Sequence, residues 1–173
     1  AALIQEQKYA EAIRVYDSLI KLGAGPNMHE AQYRKGLCLK KQKQYPAAIA
    51  CWENLLNTGF VYPYQEDAML EMAKTYAFDM NQADTALKWY ERFFKKYPAS
   101  KRLMEARYEE CGVYYQQGNP EQAKARFELF LDEYPDSYLT AEVRKMIALC
   151  DDKLASIRKA PEPRPKPTVI PRS

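Results

Sequence analysis

The chain has 173 residues, 47% hydrophobic and 28% charged, enough to bury one core or a short repeat array and too short for two ordinary domains. Its 26 basic and 23 acidic residues give a net charge of +3, but four bases against one acid lie in 159–173. The body before that tail is therefore electrically balanced, which excludes the basic footprint nucleic acid needs, and its longest apolar run, Ala47 to Trp52, excludes a transmembrane segment of ordinary length.

Glycine is scarce at 6, and five of the 11 prolines fall within 161–173, so long stretches are free of helix breakers. Amphipathic periodicity predicts helices over 1–6, 9–22, 28–42, 46–57, 64–79, 83–97, 101–117, 120–134 and 138–158. The first is a stub, leaving Ile13, Tyr16 and Ile20 short of cover, so the chain reads as a fragment or processed form in which upstream residues, a dimer mate or a partner closes that end. Asn119-Pro120 is the clearest start, with Asn as N-cap and Pro where a missing N–H costs nothing. The tail from Ala160, alternating proline with charge, is expected to be extended polyproline II, a mobile spacer rather than a docking peptide.

These helices repeat. The string Ala-x-x-x-aromatic-x-x-apolar occurs as Ala12/Tyr16/Leu19, Ala48/Trp52/Leu55, Ala86/Tyr90/Phe93 and Ala123/Phe127/Phe130, which puts all three side chains on one helical face. Small or slender residues five apart recur in the preceding stretches: Ala31/Gly36, Ala68/Ala73, Ala106/Cys111 and Val143/Ala148. Small columns let a second helix approach closely while the aromatic and aliphatic columns fill the space beyond. The last stretch keeps Val143, Ile147 and Cys150 on one side and charges on the other, as a capping helix does.

Gly36, Tyr45, Ala48 and Trp52, and again Tyr115, Gly118, Ala123, Phe127 and Pro135, make the array similar to the tetratricopeptide repeat (TPR) over residues 1–158. The implied fold is all-α, a right-handed α-solenoid of about four repeats, the first incomplete, closed by 138–158 and followed by a disordered tail over 159–173. Two departures stand out: Cys111 occupies a position where the repeat prefers Gly, and the connection from Asn57 to Gln65 is long. Tyr97-Pro98-Ala99-Ser100 and Tyr134-Pro135-Asp136-Ser137 further resemble the Tyr-Pro-x-Ser subfamily of bacterial outer-membrane assembly lipoproteins and Tol-Pal coordinators. In such a turn Pro stops one helix and Ser caps the next.

Nothing in the sequence suggests catalysis. The only histidine, His29, follows Gly25-Pro26-Asn27 and reads as an exposed turn residue. The acid pairs Glu109-Glu110 and Asp151-Asp152 read as solvated helix charges, since adjacent helical residues diverge by about 100°. Neither a glycine-rich phosphate loop nor a nucleophile elbow is present. Cys38, Cys51, Cys111 and Cys150 lack metal or redox spacing and read as small buried hydrophobes, their scatter fitting a reducing compartment. No cofactor and no metal are expected.

The TPR resemblance implies a protein or peptide partner held on the concave face of the first helices. Projected there are Tyr33, Leu37, Lys40 and Lys41, then Leu70, Lys74 and Phe78, then Tyr108, Tyr115 and Gln116. Aromatic rings beside lysine stems suit a peptide with acidic groups, whereas Tyr33, Leu70 and Tyr108 could instead pack between repeats. Lys40, Lys41 and Lys43 also favour the helix dipole. Leu37, Lys74 and Gly112 stand where chaperone-tail clamps carry Asn, so that binding mode is disfavoured. Two functions stay open: a non-catalytic scaffold in bacterial cell-envelope assembly, in the periplasm or at the outer-membrane periphery, or a cytoplasmic adaptor or regulatory domain of a larger enzyme or secretion machine. Self-association through the incomplete first repeat remains open as well.

Overall fold

A computed structural model describes residues 2–23, 26–57 and 64–159, with the side chains of 2–6 and Pro26 outside that description. Among the described residues there are eight helices: α1 (Ala2–Lys21), α2 (Pro26–Lys41), α3 (Tyr45–Leu56), α4 (Gln65–Lys74, continued as a π-turn over Thr75–Asp79), α5 (Ala83–Lys96), α6 (Leu103–Gln116), α7 (Pro120–Glu133) and α8 (Thr140–Lys159). Each packs on its neighbour in sequence, and α2/α3, α4/α5 and α6/α7 form the antiparallel pairs expected of TPR repeats. The tail from Ala160 and the middle of the Asn57–Gln65 connection lie outside the described residues.

The small and aromatic columns lock the pairs together. Ala48, Trp52 and Leu55, Ala86, Tyr90 and Phe93, and Ala123, Phe127 and Phe130 are all buried, each set facing the small column of the helix before it. At Gly36 a Cβ would collide with the Trp52 indole, whose Nε1–H donates to the Tyr33 carbonyl at 3.2 Å. The repeat alignment sets Ala73 with Tyr90 and Cys111 with the smaller Phe127, each pair sharing a core cluster, as Gly36 is set against Trp52. That balance accounts for Cys111 at the glycine position.

The serines of the Tyr-Pro-x-Ser turns close the turn just ahead of each helix instead of capping the helix itself, and the turns also bind the previous repeat. Ser100 Oγ accepts from Arg102 N at 3.0 Å, and Ser137 Oγ accepts from Leu139 N at 3.0 Å. The first turn reaches back to α4, where Ser100 donates to Glu66 and Arg102 pairs with Asp67. The second reaches back to α6, where Tyr138 donates to Glu105 at 2.8 Å. Asn119 Oδ1 accepts from Gln122 N at 3.1 Å, with Pro120 opening α7.

Two expectations are corrected here. The stub over 1–6 and the helix over 9–22 are one helix, α1, because Gln7-Lys8 contains nothing that breaks a helix. His29 is not an exposed turn residue: α2 begins at Pro26, so His29 lies within the helix, 4% exposed. Of α1's repeat columns, Ala12 and Tyr16 stay half-buried and Leu19 is 38% exposed, whereas their counterparts in α3, α5 and α7 are covered by the first helix of their own pair. Cys111 and Cys150 are buried, Cys38 and Cys51 half-buried, and all four are free thiols.

Candidate interaction surface and the charge ladder beneath it

The face projected from the sequence is built by α2, α4 and α6, and its charged members prove to be tied to one another. Lys40 on α2 reaches Glu71 at 3.1 Å and Asp79 at 3.3 Å. Lys74 on α4 pairs with Glu71 at 2.5 Å and with Glu109 on α6 at 3.6 Å. Tyr90 on α5 donates to Glu109 at 3.3 Å. Together these groups form a ladder of alternating charge across three successive first helices, each charged side chain no more than 28% exposed.

The two carboxylates that share Lys74 end in different states. Burial works against the charge on Glu71, but the bonds from Lys74 and Lys40 outweigh it and hold its carboxyl below the usual range. Burial also raises Glu109, and the more distant Lys74, set against the nearby negative Glu71, fails to restore it. Lys74 in turn is held above the ordinary lysine range: burial opposes its charge, but Glu109 and Glu71 prevail. Glu109 is therefore no solvated helix charge, and neither is its neighbour Glu110, which is 9% exposed. The expected pattern of a solvent-facing acid pair is corrected for both, while Asp151 and Asp152 are exposed.

The remaining projected residues divide by burial. Leu70 is 2% exposed and belongs to the core, which removes it from any surface. Tyr33 is half-buried and stacks on Tyr64 with ring centres 5.4 Å apart, and burial raises its hydroxyl to about 12. Tyr108 is half-buried and packs on Phe127 and Phe130 at 6.0 and 6.2 Å. Lys40 and Lys74 spend their charge inside the ladder. Available to a partner are Phe78, Lys41 and Gln116, with Leu37 and Tyr115 half-buried beside them.

Phe78 owes its position to the π-turn. The widened backbone at Thr75–Asp79, where Met80 N bonds Thr75 O at 3.0 Å and Thr75 Oγ1 donates to Glu71 O at 2.7 Å, swings Asp79 toward Lys40 and leaves Phe78 45% exposed. Gly112 on α6 keeps the space beside that ring open, since a Cβ there would meet only Phe78 Cζ at 3.8 Å. Tyr115 presents its ring under Lys153 Nζ, 3.8 Å from the ring centre. Periodicity placed these residues on one face, but the π-turn and the reach of the lysines to Asp79 and Glu109 leave no trace in a single-sequence pattern.

Among the described residues no three His, Cys, Asp or Glu side chains are grouped to hold a metal ion, and no helix is long and apolar enough to cross a membrane.

The sequence model of the YfiO family, described as outer membrane lipoprotein, matches residues 25–158. Among solved structures, the NMR structure of the first TPR domain of human RPAP3 superposes with a TM-score of 0.58 at 20% identity, covering 79% of this chain and all of that one. A Podosopora anserina kinesin light chain built of nearly identical TPR-like repeats gives a TM-score of 0.61 at 12% identity, covering 92% of this chain and 94% of that one. A single-substitution variant of that protein matches equally well, with 93% of its chain covered. These likenesses establish the fold: all-helical, with helices packed pairwise as in TPR repeats. No curated protein matches the chain.

Proposed function

Because this chain belongs to the YfiO outer membrane lipoprotein family, we propose that it is a protein-interaction scaffold in bacterial cell-envelope assembly that holds a partner segment along the concave face of its first helices. It is a non-catalytic TPR protein, and the reading rests on what that face offers a partner. The carrying observation is the shelf at the α4–α6 boundary, where an exposed phenyl ring stands beside a glycine and Tyr115 and Gln116 continue the surface along α6. An aromatic anchor in a site whose neighbours lack bulk is how peptide grooves concentrate binding energy. The ladder of buried charge lies beneath this face and fixes the spacing of α2, α4 and α6, so that the surface is set before a partner arrives.

The test follows from which residues are available. A Lys41→Ala/Phe78→Ala/Gln116→Ala variant touches no ladder residue and changes only exposed side chains, so it is expected to melt like the parent. In cross-linking within the envelope fraction of the source cell, it is expected to lose the principal partner, with at least about a fivefold drop in yield if the aromatic anchor contributes about 1 kcal/mol or more. Retention of the same partners at the parent's yield would refute this surface.

A further inference from the structure

The ladder across the first helices does not balance. It holds two ammonium groups, Lys40 and Lys74, against three carboxylates, Glu71, Asp79 and Glu109. Arg102, whose field also reaches Lys74, is paired with Asp67. Lys40 is shared by Glu71 and Asp79, and Lys74 sits on Glu71 at 2.5 Å, so the deficit falls on Glu109. Its Oε1 has Lys74 at 3.6 Å, too long for a hydrogen bond, and its Oε2 takes the Tyr90 hydroxyl at a long 3.3 Å. A carboxylate offers about four acceptor positions, and two weak contacts leave this one short of donors, which is why burial prevails there. The side chain is nonetheless reachable, 25% exposed at the edge of the first-helix face.

One turn along α6 from Glu109 is Gly112, the residue that borders Phe78. Two rungs therefore join α4 to α6 side by side, Lys74 to Glu109 and Phe78 to Gly112, about 4.5 Å apart along the helix. The second rung is hollow, because the ring is 45% exposed and a glycine stands where a side chain could cover it.

Elsewhere this chain caps half-buried rings with its own cations. Arg92 lies 4.9 Å from the Trp89 ring centre, Lys96 5.1 Å from that of Tyr97 and Lys153 3.8 Å from that of Tyr115. Phe78 is more exposed than any of those rings and has no cation over it among the described residues. A ring face attracts a cation through its quadrupole. A bare ring and an under-served carboxylate thus stand one turn apart, and both lack a cation. An ammonium would serve one of them at a time, whereas a guanidinium stacks on a ring through its plane and donates from its edge.

We propose that this shelf takes an arginine side chain of a protein partner, its guanidinium laid on the Phe78 ring in the space beside Gly112 and its N–H fork on the Glu109 carboxylate. The assignment rests on the concave-face reading and gives it a specificity. The lysines of that face suit an acidic peptide only until they are paired, and the charge left over calls for a basic one. With the guanidinium bound, the ladder holds three cations against three anions.

The probe is the peptide acetyl-Ala-Leu-Arg-Leu-Ala-amide titrated into isotope-labelled full-length chain, beside counterparts carrying citrulline, the uncharged isostere, or Glu in place of Arg. Expected are amide shifts centred on Phe78, Glu109 and Gly112, with the citrulline peptide at least about fivefold weaker and the Glu peptide weaker still. Glu109→Gln should weaken the Arg peptide about fivefold or more and leave the citrulline peptide unchanged, a difference that a merely structural role for Glu109 would not produce. Phe78→Leu should weaken the Arg peptide about threefold or more. The proposal is overturned if the Arg peptide fails to bind, if it binds no better than its citrulline or Glu counterpart, if either variant binds it undiminished, or if the shifts centre away from Phe78 and Glu109. Those outcomes leave the concave-face reading standing when the Lys41→Ala/Phe78→Ala/Gln116→Ala variant loses its partner in cross-linking; retention of the partner by that variant removes the face, and this proposal with it.

Discussion

The approach of Gly36 to Trp52 between paired helices gives a quantitative test. Replacing Gly36 by Ala places a Cβ inside the Trp52 indole, 2.8 Å from Cδ1 and nearer still to Nε1. The indole has no room to retreat, being fully buried and tethered through Nε1 to Tyr33 O. Overpacking of this kind costs about 1–3 kcal/mol, and loss of the indole hydrogen bond adds about 1 kcal/mol. Removing a glycine from a helix interior returns about 1 kcal/mol, so the net loss is about 2 kcal/mol. For a chain of this size that corresponds to a fall in Tm of about 4–8 °C. Gly112→Ala is the control: it too lies within a helix, but its Cβ would meet only Phe78 Cζ at 3.8 Å, so the propensity gain of about 0.5–1 kcal/mol should appear undiminished. Thermal melts followed by circular dichroism separate the two, and a Gly36→Ala protein melting at or above the parent would refute the packing account.

Glu71→Gln should destabilise the chain by about 1–3 kcal/mol at pH 7; since the native carboxyl is held low, this difference is full above the unfolded pKa and vanishes as pH falls through the native one, which urea melts at pH 7 and pH 3 resolve. Glu109 has the opposite sign: its native pKa is raised, so Glu109→Gln should match or exceed the parent's stability at pH 7 and lose that advantage below the ordinary carboxylate range, and a large loss at pH 7 would contradict the assignment. Asn119→Ala removes the α7 cap and should cost about 1 kcal/mol in the same melts. Phe127→Ala should cost about 3–5 kcal/mol, whereas its repeat counterpart Tyr16→Ala, half-exposed on α1, should cost less than half as much, and equal losses would mean that α1 is covered in solution.

The fold was legible because its information is periodic. Ala48, Ala86 and Ala123 sit where two helices touch, and no solvent-facing role would keep a small residue there at constant spacing. The Asn119-Pro120 start was equally legible, since capping is local chemistry, whereas Ser100 and Ser137 bond amides ahead of their helices and close the turns instead. The errors have local causes too. Periodicity broke α1 in two where the apolar pattern fades at Gln7-Lys8, although neither residue opposes a helix. His29 was read as exposed because Gly25-Pro26 looked like the end of a loop, whereas Pro at a first helical position starts the helix earlier and turns His29 inward.

The candidate site was less legible, because charge does not reveal its partner at a distance. Lys40 and Lys74 looked like ligand-binding cations because Glu71 and Asp79 lie 31 and 39 residues from Lys40 and Glu109 lies 35 from Lys74, so that they meet only once α2, α4 and α6 align, although the Glu71–Lys74 pair, three apart on α4, was readable from the sequence. Yet the repeat does carry a signal for such places, if columns are compared between units instead of being read along each helix. A column of Met69 and Arg107, another of Met72 and Glu110, and a third of Trp89 and Arg126 change from apolar to charged together. Ala106, Ala123 and Phe127 around them keep the core pattern. Burying Glu110 costs stability that methionine would not, and the hydrophobic core divides into two clusters at that junction.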